Sequence, residues 1–534
     1  MNREIPSILP LMSNRVFITI FIVAKERNFM EKSISIQQML NREKMYFCGR
    51  IKCGTLRKTF VTNLLLLLFL NLLIKPFYIF GIDRTVQNVV GTEVYGMYAA
   101  MFSLSIIFNI ILDLGIANFN NRNIAQNNDL LPRFFSSMVV LKFLLGCVYG
   151  FVLLIVGYIL DFTLEQFKIF GVLAFNQFLL SFLLYLRSNI SGTYMYKTDS
   201  CISVMDRTLM IVICGFLLLT KREDFRIEWF VYAQTVSYAI PCVVAFCIVA
   251  KKAQTFRFRF DMPFLWTILK HTYPFALLSL LMGLYTRIDM VMIEQMLPNG
   301  AEQAGVYAQS YRILDAVSMF AYLFATLLLP MFAKMLKDKE PLGQFTKFSF
   351  LLLMVPVIVF VIACCTNSYE LMDLMYNENV DDSSVIFKVL IIGFIPIASS
   401  YVFGTLLTAN NSMKVMNCMA ACGMVFNIAF NAMFIPRYGA LGAAAVSVVT
   451  QLLTGLIQIV LSVRYFSFHI PYKDIVKMLC FIGLNIGLFV CLKNYIFENW
   501  IWNVLIICVI GCVLAFAIRL LRVKDILYVL KNED

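Results

Sequence analysis

The feature that most constrains this chain is a run of apolar blocks, each about twenty residues long, that recurs along almost its whole length. Stretches such as 63–74, 151–160 and 351–364 carry no charge at all. At about 1.5 Å rise per residue, a twenty-residue helix spans roughly 30 Å of hydrocarbon, and in lipid the helix is one of only two ways to satisfy every backbone group. The blocks run near 59–80, 95–117, 134–160, 167–192, 202–220 and 228–250, then 273–297, 306–333, 345–366, 385–409, 413–435, 439–465, 474–492 and 500–521. The pattern predicts an all-α integral membrane protein with about 14 transmembrane helices. Composition agrees: 60% of the 534 residues are apolar or aromatic, 14% are charged, and mean hydropathy is +0.79. Soluble domains carry roughly a quarter charged residues.

The net charge of +13 has a topological cause. Lys and Arg are retained on cytoplasmic loops, and no nucleic-acid-binding motif accompanies them. With the segment holding Arg50, Lys52, Arg57 and Lys58 inside, alternation puts about twenty-six basic residues inside and about seven outside. The inner set includes Arg187, Lys197 and Arg207, and the cluster from Lys251 to Lys270. The outer segment 370–382 carries acids only. Both termini are expected to be cytoplasmic and the chain multi-pass in the cell (inner) membrane. Residues 1–56 are polar and mixed in charge and read as a disordered N-terminal extension, with Met45 an alternative start. The longest polar connections, 251–272 and 367–384, are far too short for a soluble catalytic domain. Fifteen cysteines lie mostly in apolar blocks, and Cys418/Cys422 and Cys508/Cys512 have helical spacing without histidine partners. With His271 and His469 the sole histidines, no metal site and no cofactor are expected.

A repeat organises the spans. Glu93, Gly96, Tyr98 and Ala99 open the second, and Glu302, Gly305, Tyr307 and Ala308 open the eighth; both read E-x-x-G-x-Y-A. An Ile-Asp pair precedes each, Ile82-Asp83 and Ile288-Asp289. An offset of six helices preserves orientation, so the repeats are parallel about an axis along the membrane normal. This predicts two pseudo-symmetric six-helix lobes, 57–250 and 273–465, a basic cytoplasmic linker 251–272, and two C-terminal helices within 466–534.

Four stretches carry a family resemblance: Val89 to Gly96, Asp113-Leu-Gly-Ile116, Tyr285 to Met292 leading to Gly305-Val-Tyr307, and Ile435 to Ala443. Their order and spacing resemble the Wzx-type polysaccharide and O-antigen repeat-unit flippases of the multidrug/oligosaccharidyl-lipid/polysaccharide (MOP) exporter superfamily, from about Arg57 to the C-terminus. The resemblance implies a two-lobed alternating-access core. Its cargo would be an undecaprenyl-pyrophosphate-linked oligosaccharide, of O-antigen, capsule or exopolysaccharide, with polymerase or assembly proteins as partners beside membrane lipid. Alternatives are a multidrug cation exporter, a lipid II flippase, or a membrane oligosaccharide polymerase, which usually needs a larger outer loop than this chain has.

Charged and amide groups inside spans are the candidate machinery, because each is costly at mid-bilayer. Arg287 and Asp289 lie in the seventh span, two apart and so directed to different sides. Arg312 and Asp315, in the eighth, are spaced to share a face. Arg287 and Arg312 are expected to hold the head group, and Asp289 and Asp315 to partner them or take a coupling ion; a packing cluster of salt bridges is the competing reading. Lys142 and Asp113 are weaker candidates for cavity and ion respectively, since Lys142 is near enough to a helix end to snorkel. Snorkelling is also expected of Lys75 and Arg84. Asn427 and Asn431 share a helix face and suit either sugar hydroxyls or interhelical bonds. The run from Gly439 to Ala445 suits close helix approach. No nucleophile–base constellation, phosphate-cradling loop or nucleotide-binding domain is present in the sequence, so transport rather than an enzyme reaction is expected, driven by an ion gradient, membrane potential or cargo flux.

Overall fold

The computed structural model describes residues 71, 73–117, 120, 124, 130–193, 195–253, 262–468, 472–492, 500–518 and 520. The expected N-terminal extension and most of the first span lie outside these residues. The regular elements of the described residues are all helices. A π-helical turn, Tyr78–Asp83, runs into α1 (Arg84–Val90), followed by α2 (Thr92–Phe108), the short α3 (Ile110–Asp113), α4 (Leu130–Ile159), α5 (Leu164–Gly192), α6 (Tyr196–Thr220) and α7 (Ile227–Ala253). The second half comprises α8 (Met262–Met296), α9 (Gly300–Asp338), α10 (Leu342–Thr366), α11 (Ser368–Met375), α12 (Val380–Ile392), α13 (Phe394–Ala409) and α14 (Met413–Phe466), and α15 (Tyr472–Leu492) and α16 (Trp500–Ala517) close the chain. Helix extends into the expected linker 251–272 from both sides, α7 continuing to Ala253 and α8 beginning at Met262, while the span within α8 begins at Tyr273.

Twelve helices among the described residues are long and apolar enough to cross a bilayer. One of them is double. At 54 residues, α14 would be about 80 Å long as a single rod, more than twice the hydrocarbon thickness. Gly439 breaks it, with φ 60° and ψ −145°, a backbone conformation costly for any residue with a Cβ. This is the boundary expected between the eleventh and twelfth spans. Apolar side chains cover the outer surfaces: Phe151, Leu154, Ile155 and Tyr158 of α4, and Val212, Phe216 and Leu219 of α6, are all exposed. Such a coat is stable only against lipid.

The two halves meet where α2 packs against α8 and α9. The repeated glycines make that seam. A Cβ on Gly96 would lie 1.9 Å from the Ala301 carbonyl oxygen and 2.4 Å from the Gly305 nitrogen, and one on Gly305 would lie 2.0 Å from the Thr92 carbonyl oxygen. The helices therefore touch backbone to backbone, as small residues allow in membranes.

At the same end, which the charge alternation assigns to the outside, α11 and the residues after it strap the halves together. Arg84 does not snorkel. Its guanidinium donates to the Leu374 carbonyl (2.7 Å) and the Met375 carbonyl, capping the C-terminus of α11. Asn88 also donates to Met375 (2.9 Å), and the Glu378 carboxylate accepts from the Thr92 backbone N–H (2.9 Å) and hydroxyl (2.8 Å). The helices α15 and α16 pack on α10, at the flank of the second half.

Candidate functional site

Four cations form a ladder across the seam. On α9, Arg312 reaches into the first half, with its Nε 2.8 Å from Asp83 Oδ2 and 3.1 Å from the Tyr95 hydroxyl oxygen. Asp83 also accepts from Tyr95 (3.0 Å) and is almost fully buried. On α8, Arg287 donates from Nη2 to both oxygens of Asp315, at 3.1 and 2.9 Å, and its guanidinium lies 5.0 Å from the centre of the Tyr311 ring. Arg312 and Asp315, expected to share a face, take different partners, Asp83 and Arg287. Arg207 sits midway along α6, with its guanidinium 4.7 Å from the Tyr78 ring centre and 6.0 Å from that of Tyr238. Among the described residues its one carboxylate contact is the neighbouring Asp206, at 3.5 Å. Lys75 lies within electrostatic reach of Arg207, and Arg207 within that of Arg312, which is in turn within reach of Arg287. Among the described residues Lys75 has no hydrogen-bond or ion-pair partner.

Sequence reasoning missed Arg207 by counting it with the cytoplasmic loop charges. The signal was present, since Arg207 falls inside the predicted span 202–220. Inside the bilayer it is an intramembrane cation held by aromatic faces, an arrangement worth more when desolvated.

The remaining candidates fall into two separate clusters. Lys142 is not at an interface and does not snorkel. It is 1% exposed, and its ammonium donates to Asp113 (2.6 Å), the Leu112 carbonyl (2.8 Å) and the Ser181 hydroxyl (3.1 Å). That geometry ties α3 to α4 and α5. Asn427 and Asn431 are fully buried, and both donate to Asp289 Oδ1, at 3.2 and 2.7 Å. The other Asp289 oxygen accepts from Tyr307 (2.8 Å), the tyrosine of the second repeat. Asp289 has no ion-pair partner among the described residues, and the Asn431 carbonyl oxygen is buried without a hydrogen-bond partner.

Beside Arg287 and Asp315 lies a cavity of about 350 Å³, walled by α8, α9, α12, α13 and α14. No group of three or more His, Cys, Asp or Glu side chains among the described residues is arranged to hold a metal.

The described chain is thus a helical membrane protein whose two halves abut at a glycine seam, with charges concentrated beside it. Residues 60–336, just over half the chain, match the model of the family described as "Polysaccharide biosynthesis protein", and the chain belongs to that family. It is 23% identical over 187 residues to the capsular polysaccharide biosynthesis protein CapF of Staphylococcus aureus, a match covering 34% of this chain and 46%, about half, of that relative. Among solved structures, the lipid II flippase MurJ in an inward closed conformation superposes with a TM-score of 0.63 at 13% identity, over 87% of this chain and 99% of that one. An inward-facing multidrug resistance MATE transporter of the MOP superfamily superposes at 0.57 and 13% identity, over 73% of this chain and 94% of that one. For a MOP transporter from Pyrococcus furiosus the values are 0.55 and 13%, over 77% and 96%. At these identities the likeness establishes the fold.

Proposed function

We propose that this chain is a flippase that moves an undecaprenyl-pyrophosphate-linked oligosaccharide from the cytoplasmic to the outer leaflet of the cell membrane by alternating access. The observation that carries the reading is the ladder of Lys75, Arg207, Arg312 and Arg287. These are four cations from both halves against the carboxylates of Asp83, Asp206 and Asp315. An anionic head group completes such a site; a cationic drug would be repelled by it. Arginine suits the phosphates because its planar fork binds oxyanions in bidentate fashion. Family membership supports a polysaccharide cargo.

The buried Asp289 cluster supports a coupling-ion role. A carboxylate and an unpartnered amide oxygen, enclosed together and lacking a cation, can take a proton or a monovalent cation. Asp113, paired with Lys142, is better suited to fixing helices.

The test is complementation of a deletion strain with Arg207→Ala, Arg287→Ala or Arg312→Ala. Each variant is expected at normal membrane level, with lipid-linked oligosaccharide accumulating on the cytoplasmic leaflet. Full glycan display in all three, or unchanged display with altered drug sensitivity, refutes the reading.

A further inference from the structure

The cavity in the second half has a chemistry of its own. Its wall carries three aromatic rings, Tyr285, Tyr311 and Tyr401, together with hydroxyl and amide groups. Its three threonine hydroxyls already have partners: Thr286 donates to the Met282 carbonyl (2.8 Å), Thr405 to that of Tyr401 (2.5 Å) and Thr408 to that of Gly404 (2.8 Å). Two groups do not. The Ser400 hydroxyl and the Gln458 carbonyl oxygen are buried with no hydrogen-bond partner, and Gln458 as a residue is 2% exposed.

Leaving such groups unmet costs about 1–3 kcal/mol each, so their retention in a roomy cavity points to a ligand that meets them. Gly404 keeps the space open, since a Cβ there would lie 3.0 Å from the Gln458 oxygen. The volume falls within the range of small-molecule sites, roughly 300–1,000 Å³. The one carboxylate on the wall, Asp315, is occupied by Arg287, so no free acid awaits a cation.

We infer that this cavity is a subsite for a neutral, hydroxyl-rich sugar ring of the head group, with Gln458 and Ser400 bonding its hydroxyls and the tyrosine rings packing on its apolar faces. The inference rests on the flippase reading. Arg287 belongs to both sites. Phosphates held by the ladder therefore place the first sugar at the mouth of the cavity, and the subsite registers that the lipid carrier is loaded.

The experiment compares two probes on the purified full-length chain in detergent: undecaprenyl pyrophosphate, and the same lipid bearing a single N-acetylglucosamine. Two recovered hydrogen bonds at about 0.5–1.5 kcal/mol each predict that the wild type binds the sugar-bearing lipid about tenfold tighter. Gln458→Leu and Ser400→Ala are expected to erase most of that difference while leaving undecaprenyl pyrophosphate binding unchanged. Ser400→Ala removes a single oxygen, so it remains informative if Gln458→Leu misfolds. Discrimination that survives in Ser400→Ala and Gln458→Leu, or is absent from a wild type that binds undecaprenyl pyrophosphate, overturns the subsite and leaves the flippase reading standing. Failure of the wild type to bind either lipid overturns both.

Discussion

Gly96→Ala tests whether the glycine seam holds its end of the bundle closed. The new methyl group would sit 1.9 Å from the Ala301 carbonyl oxygen, against an ordinary contact of 3.4 Å or more. Both neighbours are backbone, so no rotamer change relieves the clash, and α2 and α9 must part by roughly 1.5 Å. Overpacking of this kind costs about 1–3 kcal/mol, and at about 1.4 kcal/mol per tenfold it disfavours the closed seam by roughly five- to a hundredfold. A conformer with the seam open avoids the cost altogether, so population moves toward it. Spin labels at Glu93 on α2 and Gln295 on α8, both exposed at that end, read the separation once the fifteen native cysteines are replaced. The wild type is expected to give one short distance, and Gly96→Ala an added longer population with slowed transport. Gly150→Ala is the control, because a Cβ at Gly150 meets nothing within 4 Å. A distance distribution identical to wild type in Gly96→Ala refutes the seam as a gate.

Two further variants probe the buried charges. Lys142→Met strands Asp113 without its cation; loss of one partner of a buried pair costs about 3–5 kcal/mol, reduced here because Asp113 is 26% exposed on its side chain. The variant should melt well below the wild type in detergent, with partial recovery in the Lys142→Met/Asp113→Asn double variant, and an unchanged melting temperature contradicts a structural role. Asp289→Asn should still bind undecaprenyl pyrophosphate but lose the response of transport to imposed proton and sodium gradients; a retained response removes Asp289 from coupling.

The spans were legible because lipid enforces apolarity in units of helix length, and α14 shows how far that reaches. The apolar blocks 413–435 and 439–465 separated two spans there, and the backbone breaks at Gly439, a residue whose role the sequence suggested only as close helix approach. What one dimension conceals is direction. The i,i+4 spacing put Asn427 and Asn431 on one face, but nothing in it named Asp289 as their common acceptor. The two-residue separation of Arg287 and Asp289 did require different partners, and they have them, in Asp315 and the Tyr307–asparagine cluster. Lys142 misled because depth along a helix says nothing about rotation. A lysine two turns from an interface snorkels if it faces lipid and must be paired if it faces a neighbouring helix, and Asp113 supplies the pairing. Arg207 misled for a related reason: counting loop charges to orient a protein treats every cation near a span boundary as a topological marker. The repeat was legible as symmetry, whereas its consequence was not. Two glycines at equivalent positions in parallel halves meet each other only if the symmetry axis passes between them. The E-x-x-G-x-Y-A motif thus marks a contact, and the shared glycine is the part of it that lets the two helices meet backbone to backbone.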